Sequence, residues 1–235
     1  MNVNIADNIS AVFEKVASAA AHSGRTGEEI SIVAASKMND AEKVKAAISC
    51  GITYCGENRV QEMLEKNVLN AYGGAHLHFI GHLQKNKVKN VVGLAELIHG
   101  ADSIELLQAI GTAAEKAGIV QDVLLEINIG KEASKSGFSE EELPEILFRS
   151  SQIQGIHIRG LMAIPPICTD DSQNRPFFVR MNQLFVDNKQ KKYDNVSMDF
   201  LSMGMSADYE AAIECGSNMV RIGTGIFGPR NYPAK

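Results

Sequence analysis

Short apolar runs alternate with amphipathic stretches along the whole chain, and that alternation leaves few folds open. Ile5, Ile9, Val12, Phe13 and Val16 recur at helical spacing, and Gly24 stops that first helix. The run from Ile30 to Ala35 is too short for a helix and ends at Ser36-Lys37, after which Asn39 or Asp40 can cap a helix through Ile48. The same grammar returns at Ile52 to Cys55 with a helix from Glu57, His78 to Ile80 with one from about Gln84, and Glu96 to Ile98 with one from Asp102 to Ala117. It continues at Val123 to Ile127 with a helix from Ser139, His157 to Met162 with one from about Pro176, Ser197 to Phe200 with one from Ser206, and Met219 to Ile222. Strands separated by helices must pair in parallel through crossovers, and eight such units favour a closed barrel over an open sheet. The spacing therefore predicts a single (β/α)8 TIM-type barrel, one domain over residues 1–235.

Composition agrees with a chain that buries a core. Hydrophobic residues make up 45% and charged residues 22% of its 235 residues, which sets aside collagen, disordered and disulfide-framework classes. A net charge of −5 has the wrong sign for a protein that neutralises a phosphate backbone unaided, so no nucleic-acid partner is expected. Cys50, Cys55, Cys168 and Cys215 lack the spacing of a zinc site and read as reduced thiols. Asp7, Glu14 and Lys15 interrupt the apolar pattern of the N-terminus, which does not read as a signal peptide, and no run approaches a membrane span. The expectation is a cytoplasmic protein with no membrane partner.

In a barrel, residues at the carboxyl ends of the strands point into the active mouth. Lys37 stands there, after an uninterrupted apolar run. Partial desolvation would lower its amine pKa and suit it to a Schiff base with an aldehyde; otherwise it is a solvated lysine opening a loop. Gly223, Gly225 and Gly228 match the spacing of a dinucleotide fingerprint, but the βαβ unit that must surround it is missing. Glycine N–H groups with Thr224 after the last strand can still cradle a phosphate, and Gly204-Met205-Ser206, opening a helix, offers a further hydroxyl. Two ordinary turns would look the same. Arg221 ends an apolar strand and needs a partner if buried, such as a salt bridge to Glu126. His76, His78 and His82 lack a carboxylate to complete a metal site, so no metal is expected. Lys85, Lys87 and Lys89 form a basic stripe that reads as a solvated face or as a receiver for a phosphorylated ligand or acidic partner.

Several segments then resemble a known family: Ala34-Ala35-Ser36-Lys37, Gly56-Glu57-Asn58-Arg59-Val60-Gln61-Glu62, His78-Phe79-Ile80-Gly81-His82-Leu83-Gln84-Lys85-Asn86-Lys87, Lys135-Ser136-Gly137, Arg159 to Pro165, Leu201 to Ser206 and Arg221 to Gly228. They are similar, essentially end to end, to the pyridoxal 5′-phosphate homeostasis proteins, also called proline-synthetase co-transcribed homologues. The resemblance implies a barrel like the N-terminal domain of alanine racemase, with pyridoxal 5′-phosphate, a vitamin B6 form, held as an aldimine of Lys37. It implies Arg221 opposite the pyridine nitrogen, Ser206, Gly223 and Thr224 around the phosphate, and further cofactor contacts from Asn58, Met162 and Ser202. Ser206 and Arg221 are 15 residues apart, as in the racemase barrel. One departure stands out: His99-Gly100-Ala101-Asp102 replaces the usual His-Ser/Thr-x-Asp.

Two functions compete, a carrier that buffers the aldehyde and delivers it to apo pyridoxal phosphate-dependent enzymes, and a small amino-acid racemase. Two-base racemisation needs a second acid/base on the far face of the cofactor, which racemases of this type take from a tyrosine of a second domain. Only seven residues follow Gly228, and none of Tyr54, Tyr72, Tyr193, Tyr209 and Tyr232 is predicted to face the cofactor. A permanently protonated Arg221 would keep the pyridine nitrogen unprotonated and weaken the electron sink. The expectation is a non-catalytic carrier with no catalytic residues, a monomer or weak dimer.

Overall fold

The computed structural model describes residues 4–132, 135–166 and 171–229. Eight parallel strands close into a barrel in chain order, β1 (Ser31–Ala35), β2 (Tyr54–Glu57), β3 (His76–Phe79), β4 (Leu97–Ala101), β5 (Gln121–Glu126), β6 (Ile156–Met162), β7 (Val196–Met205) and β8 (Met219–Ile222), and β8 pairs back onto β1. Parallel strands are covered on both faces, which is why they read as short apolar runs. Inside the barrel Val33, Ala35, Ile80, Leu97, Leu124, Met162 and Met219 form one buried cluster. A larger one lies between the strands and the outer helices.

The helices are α1 (Ile5–His22), α2 (Ala41–Ser49), α3 (Val60–Val68), α4 (Ile104–Ala117), α5 (Leu143–Ser151), α6 (Arg175–Asn188), α7 (Tyr209–Glu214) and α8 (Thr224–Phe227). The Asn4 side chain caps α1 by accepting from Ala6 N and Asp7 N, and Asp40 caps α2 through Lys43 N. The α8 segment is a single turn. Preceding the first strand, α1 packs against α2, α7 and α8 and so fills the eighth place in the outer ring. Among the described residues no helix is long and apolar enough to cross a membrane.

Four helix starts differ from the sequence reading, each for a local reason. Glu57 ends β2 with its side chain fully buried, so α3 begins only at Val60. The stretch after Gln84 is a short 3₁₀ helix, Lys85–Asn90, because Glu96 N must already reach Leu77 O to start the pairing of β3 with β4. Ser139 does not open α5; it and Glu142 exchange hydrogen bonds in a turn ahead of Leu143. Ser206 does not open α7 either, since β7 runs on to Met205, whose N–H donates to Asp208 Oδ1 in the intervening turn. Cys50, Cys55 and Cys215 are free thiols, and Cys168 lies outside the described residues.

Candidate functional site

At the carboxyl ends of the strands lies a cavity of about 590 Å3 lined by Lys37, Asn58, Ser206, Arg221, Gly223 and Thr224, together with Ala35, Ile80, Gly81, Ile164, Met205 and Ala207. Six of the eight residues expected to meet a cofactor therefore share one mouth. The other two do not line it. Ser202 is buried beneath Arg221, and Met162 lines a smaller chamber of about 200 Å3 beside the mouth.

Lys37 leaves β1 on a segment pinned from below. The Lys66 ammonium, almost wholly buried, donates to Ser36 O at 2.8 Å, Glu57 Oε1 at 2.7 Å and Glu62 Oε1 at 2.7 Å. Glu57 Oε1 also accepts from Ser36 Oγ at 2.6 Å and Tyr72 OH at 3.1 Å. On the far side of Lys37, Met38 takes a positive φ of 63°, and its N–H donates to Glu62 Oε1. Burial pushes the Glu57 carboxyl above its ordinary range, opposed by Lys66 and Ser36, and pushes the Cys55 thiol up to about 12. The backbone on both sides of Lys37 is thus fixed by one buried network.

Arg221 on β8 is 4% exposed. Among the described residues its guanidinium forms no ion pair with Glu126, the structural alternative to a place opposite a ring nitrogen. Nη1 donates instead to Ser202 O at 2.9 Å and Ser202 Oγ at 2.5 Å, and Nη2 to Ala163 O at 2.9 Å, leaving Nε–H and one Nη2–H for the mouth. Burial lowers its pKa to about 10, against the raising influence of Glu126 and Asp208, so the group remains a cation at neutral pH.

Ser202 Oγ, which accepts from Arg221, lies 3.0 Å from His99 Nδ1, and His99 Nε2 lies 3.0 Å from His78 Nδ1, the direction of each bond being set by the imidazole tautomers. Burial holds His78 down to about 3 and His99 well below its ordinary value, so both are neutral links in this chain. His76 pairs with Glu96 at 2.7 Å and His82 with Asp102 at 2.8 Å, so the three histidines of the His76 to His82 segment go to three different partners.

Just beyond the end of β7, Ser206 Oγ accepts from Gly223 N at 3.0 Å and Gly225 N at 3.2 Å. Two backbone amides thus converge on a single oxygen next to Thr224. Gly81 packs against Asn58 across the rim, and a Cβ there would lie 2.5 Å from Asn58 O. Among the described tyrosines, Tyr54 stacks on His76, Tyr72 reaches Glu57, Tyr193 packs against the outer core ahead of β7 and Tyr209 is buried in α7; none lines the mouth. Tyr232 lies outside the described residues. Lys85 and Lys89 line a separate surface groove against α4.

The sequence reading missed the Glu57–Lys66 network and the His78–His99–Ser202 chain. Their partners come from different strands and are set by barrel register, and the only advance signal was the presence of buried-type polar residues inside apolar runs.

Comparison with known proteins extends the geometry. The family model described as "Alanine racemase, N-terminal domain" matches residues 8–231. A pyridoxal phosphate homeostasis protein of Aquifex aeolicus is 40% identical over 230 residues, covering 98% of this chain and 100% of its own. The structure of PipY from Synechococcus elongatus, solved with pyridoxal phosphate bound, superposes with a TM-score of 0.82 at 27% identity over 96% of this chain and 100% of that one. An alanine racemase of Clostridium difficile, 18% identical with a TM-score of 0.67, covers 97% of this chain and 57% of its own, and shares the fold.

Proposed function

The chain belongs to the alanine racemase N-terminal domain family, and from that premise we propose that it holds pyridoxal 5′-phosphate at the barrel mouth through Lys37, buffering and delivering it rather than turning over amino acids. One observation carries the reading. An amine at a strand end, two backbone amides converging on one oxygen and a buried cation face one cavity, and these are the partners an aldehyde, a phosphate and a ring nitrogen require.

The donor set fits the group. Gly223 N and Gly225 N already point at the Ser206 oxygen, the arrangement a phosphate oxygen would use, and Thr224 adds a hydroxyl. Arg221 keeps two N–H groups for the mouth and cannot accept a hydrogen bond. Ser202 acts behind it, fixing the guanidinium rather than touching the ligand. Asn58 stands at the rim, and Met162 belongs to the adjoining chamber.

When bound, the cofactor supplies a reactive aldehyde on an electron-withdrawing ring. Lys37 would hold that aldehyde covalently, on a backbone the Lys66–Glu57 network keeps in place. Arg221, a cation at neutral pH, would donate to the ring nitrogen without protonating it, which would limit how strongly the ring withdraws electrons. The tyrosines committed elsewhere supply no second acid/base to the mouth among the described residues. These features support a carrier that exchanges its cargo with apo pyridoxal phosphate-dependent enzymes.

The test is incubation of the loaded protein with L-alanine in deuterated water, following Cα exchange and enantiomer formation. We expect slow exchange at most, since a general acid/base contributes about 10²–10⁴-fold. Racemisation at an ordinary enzymic rate of about 1–10³ per second, abolished by Lys37→Ala, would establish the racemase instead.

A further inference from the structure

Glu126 ends β5 in the small chamber that adjoins the mouth, the two spaces sharing Ile80, Gly81 and Ile164. Met162, His82, Lys135 and Ser136 complete its walls. The other charged groups are already committed. His82 pairs with Asp102, Lys135 pairs with Glu132 and donates to Ile164 O at 3.3 Å and Pro165 O at 3.1 Å, and Arg221 gives three of its five N–H groups to Ser202 and Ala163. Among the described residues, the Glu126 carboxyl has neither a hydrogen bond nor an ion pair.

The sequence explains why. Gly100, the position where the resemblance leads to Ser or Thr, lies against this carboxyl: a Cβ there would stand 3.3 Å from Glu126 Oε2 and 2.7 Å from Gly81 O. With glycine, the Gly81 carbonyl approaches closely and no hydroxyl reaches Glu126. Burial and the nearby Asp102 push the carboxyl up to about 7, against Arg221, His82 and Lys135. A half-buried carboxylate with no cation in direct contact is costly, and a ligand that brings a cation into contact recovers that cost.

We infer that the Glu126 chamber receives the ammonium group of a small primary amine, its carbon chain lying against Ile80, Met162 and Ile164 and its nitrogen pairing with Glu126 beside the mouth. An anionic ligand would be repelled by the Glu126 carboxylate and the nearby Asp102. A metal ion is disfavoured too, because no group of three potential ligands occurs among the described residues. The carboxylate and the ammonium stay an ion pair, and this binding does not depend on the proposed cofactor function.

The experiment uses the cofactor-free, full-length protein and two probes, n-butylamine and L-alanine, with the carboxyl ¹³C resonance of Glu126 as readout. Butylamine is expected to shift that resonance saturably and to lower the pH at which it titrates, with affinity rising as pH passes upward through 7 and the carboxylate forms. Glu126→Gln, which keeps the shape and removes the charge, should weaken butylamine binding by about tenfold or more as read by calorimetry, with circular dichroism confirming the fold. A response to butylamine alone marks a lysine-like side chain as the source of the amine; a response to both probes adds free amino acids. An unmoved resonance, unchanged affinity in the variant, or a response to L-alanine alone would overturn the assignment. Cofactor trapping at Lys37 is measured on the same preparations, and its failure would count against the proposed function without touching the chamber.

Discussion

Ser206 and Arg221 lie side by side at the ends of β7 and β8 with different kinds of donor, and that difference predicts what the site selects. Around Ser206 the donors are neutral amides and a hydroxyl aimed at an anion, where each charge-assisted hydrogen bond is worth about 1.5–3 kcal/mol. Pyridoxal lacking the phosphate should therefore bind at least about tenfold more weakly than pyridoxal 5′-phosphate in equilibrium titrations, and equal affinities would contradict the phosphate cup. At this scale the sequence was informative where a residue follows an apolar run directly. Lys37 and Arg221 are placed at strand ends by counting alone, and both line the mouth. It was uninformative where the partner is non-local. The partners of Arg221, for which a carboxylate such as Glu126 was the structural alternative, proved to be the oxygens of Ser202 and Ala163, delivered by the register of β6 and β7, which no local pattern encodes.

Among the elements, the segment between β1 and α2 depends most on a buried charge. Lys66 reaches from α3 under the Lys37 backbone to Glu57, and each is almost fully buried. Breaking such a pair leaves a charge uncompensated, so Lys66→Ala should destabilise the protein by about 3–5 kcal/mol in urea unfolding near neutral pH. The loss should narrow on acidification, because Glu57, already raised by burial, then takes a proton and sheds the charge that needs Lys66. An unchanged unfolding midpoint would show the network to be dispensable. This network also explains why the start of α3 was misread: Glu57 looks like a first-turn helix acid but ends a strand with its side chain turned outward, to Lys66 of α3. The 3₁₀ turn after Gln84 was misread for a different reason. Its residues favour a helix, and the short reach from β3 to β4 allows only a tighter one.

For the whole molecule, the order of strands followed from alternation because parallel pairing forces crossovers, and the eight candidates became eight consecutive staves. The role of α1 did not follow. A helix ahead of the first strand stands in for the eighth outer helix because α8 is one turn long, and that substitution depends on the closure of β8 onto β1. Closure also gathers Lys37 from β1, Ser206 after β7 and Arg221 on β8 into one mouth, and the central claim is that this mouth holds pyridoxal 5′-phosphate covalently at a single lysine. Borohydride reduction of the loaded protein, followed by intact mass and peptide mapping, tests this most directly. The account predicts one pyridoxyl phosphate adduct per chain, mapped to Lys37 and lost in Lys37→Ala, with at most a minor share on surface lysines such as Lys85 or Lys87. An adduct of undiminished yield in Lys37→Ala would contradict it.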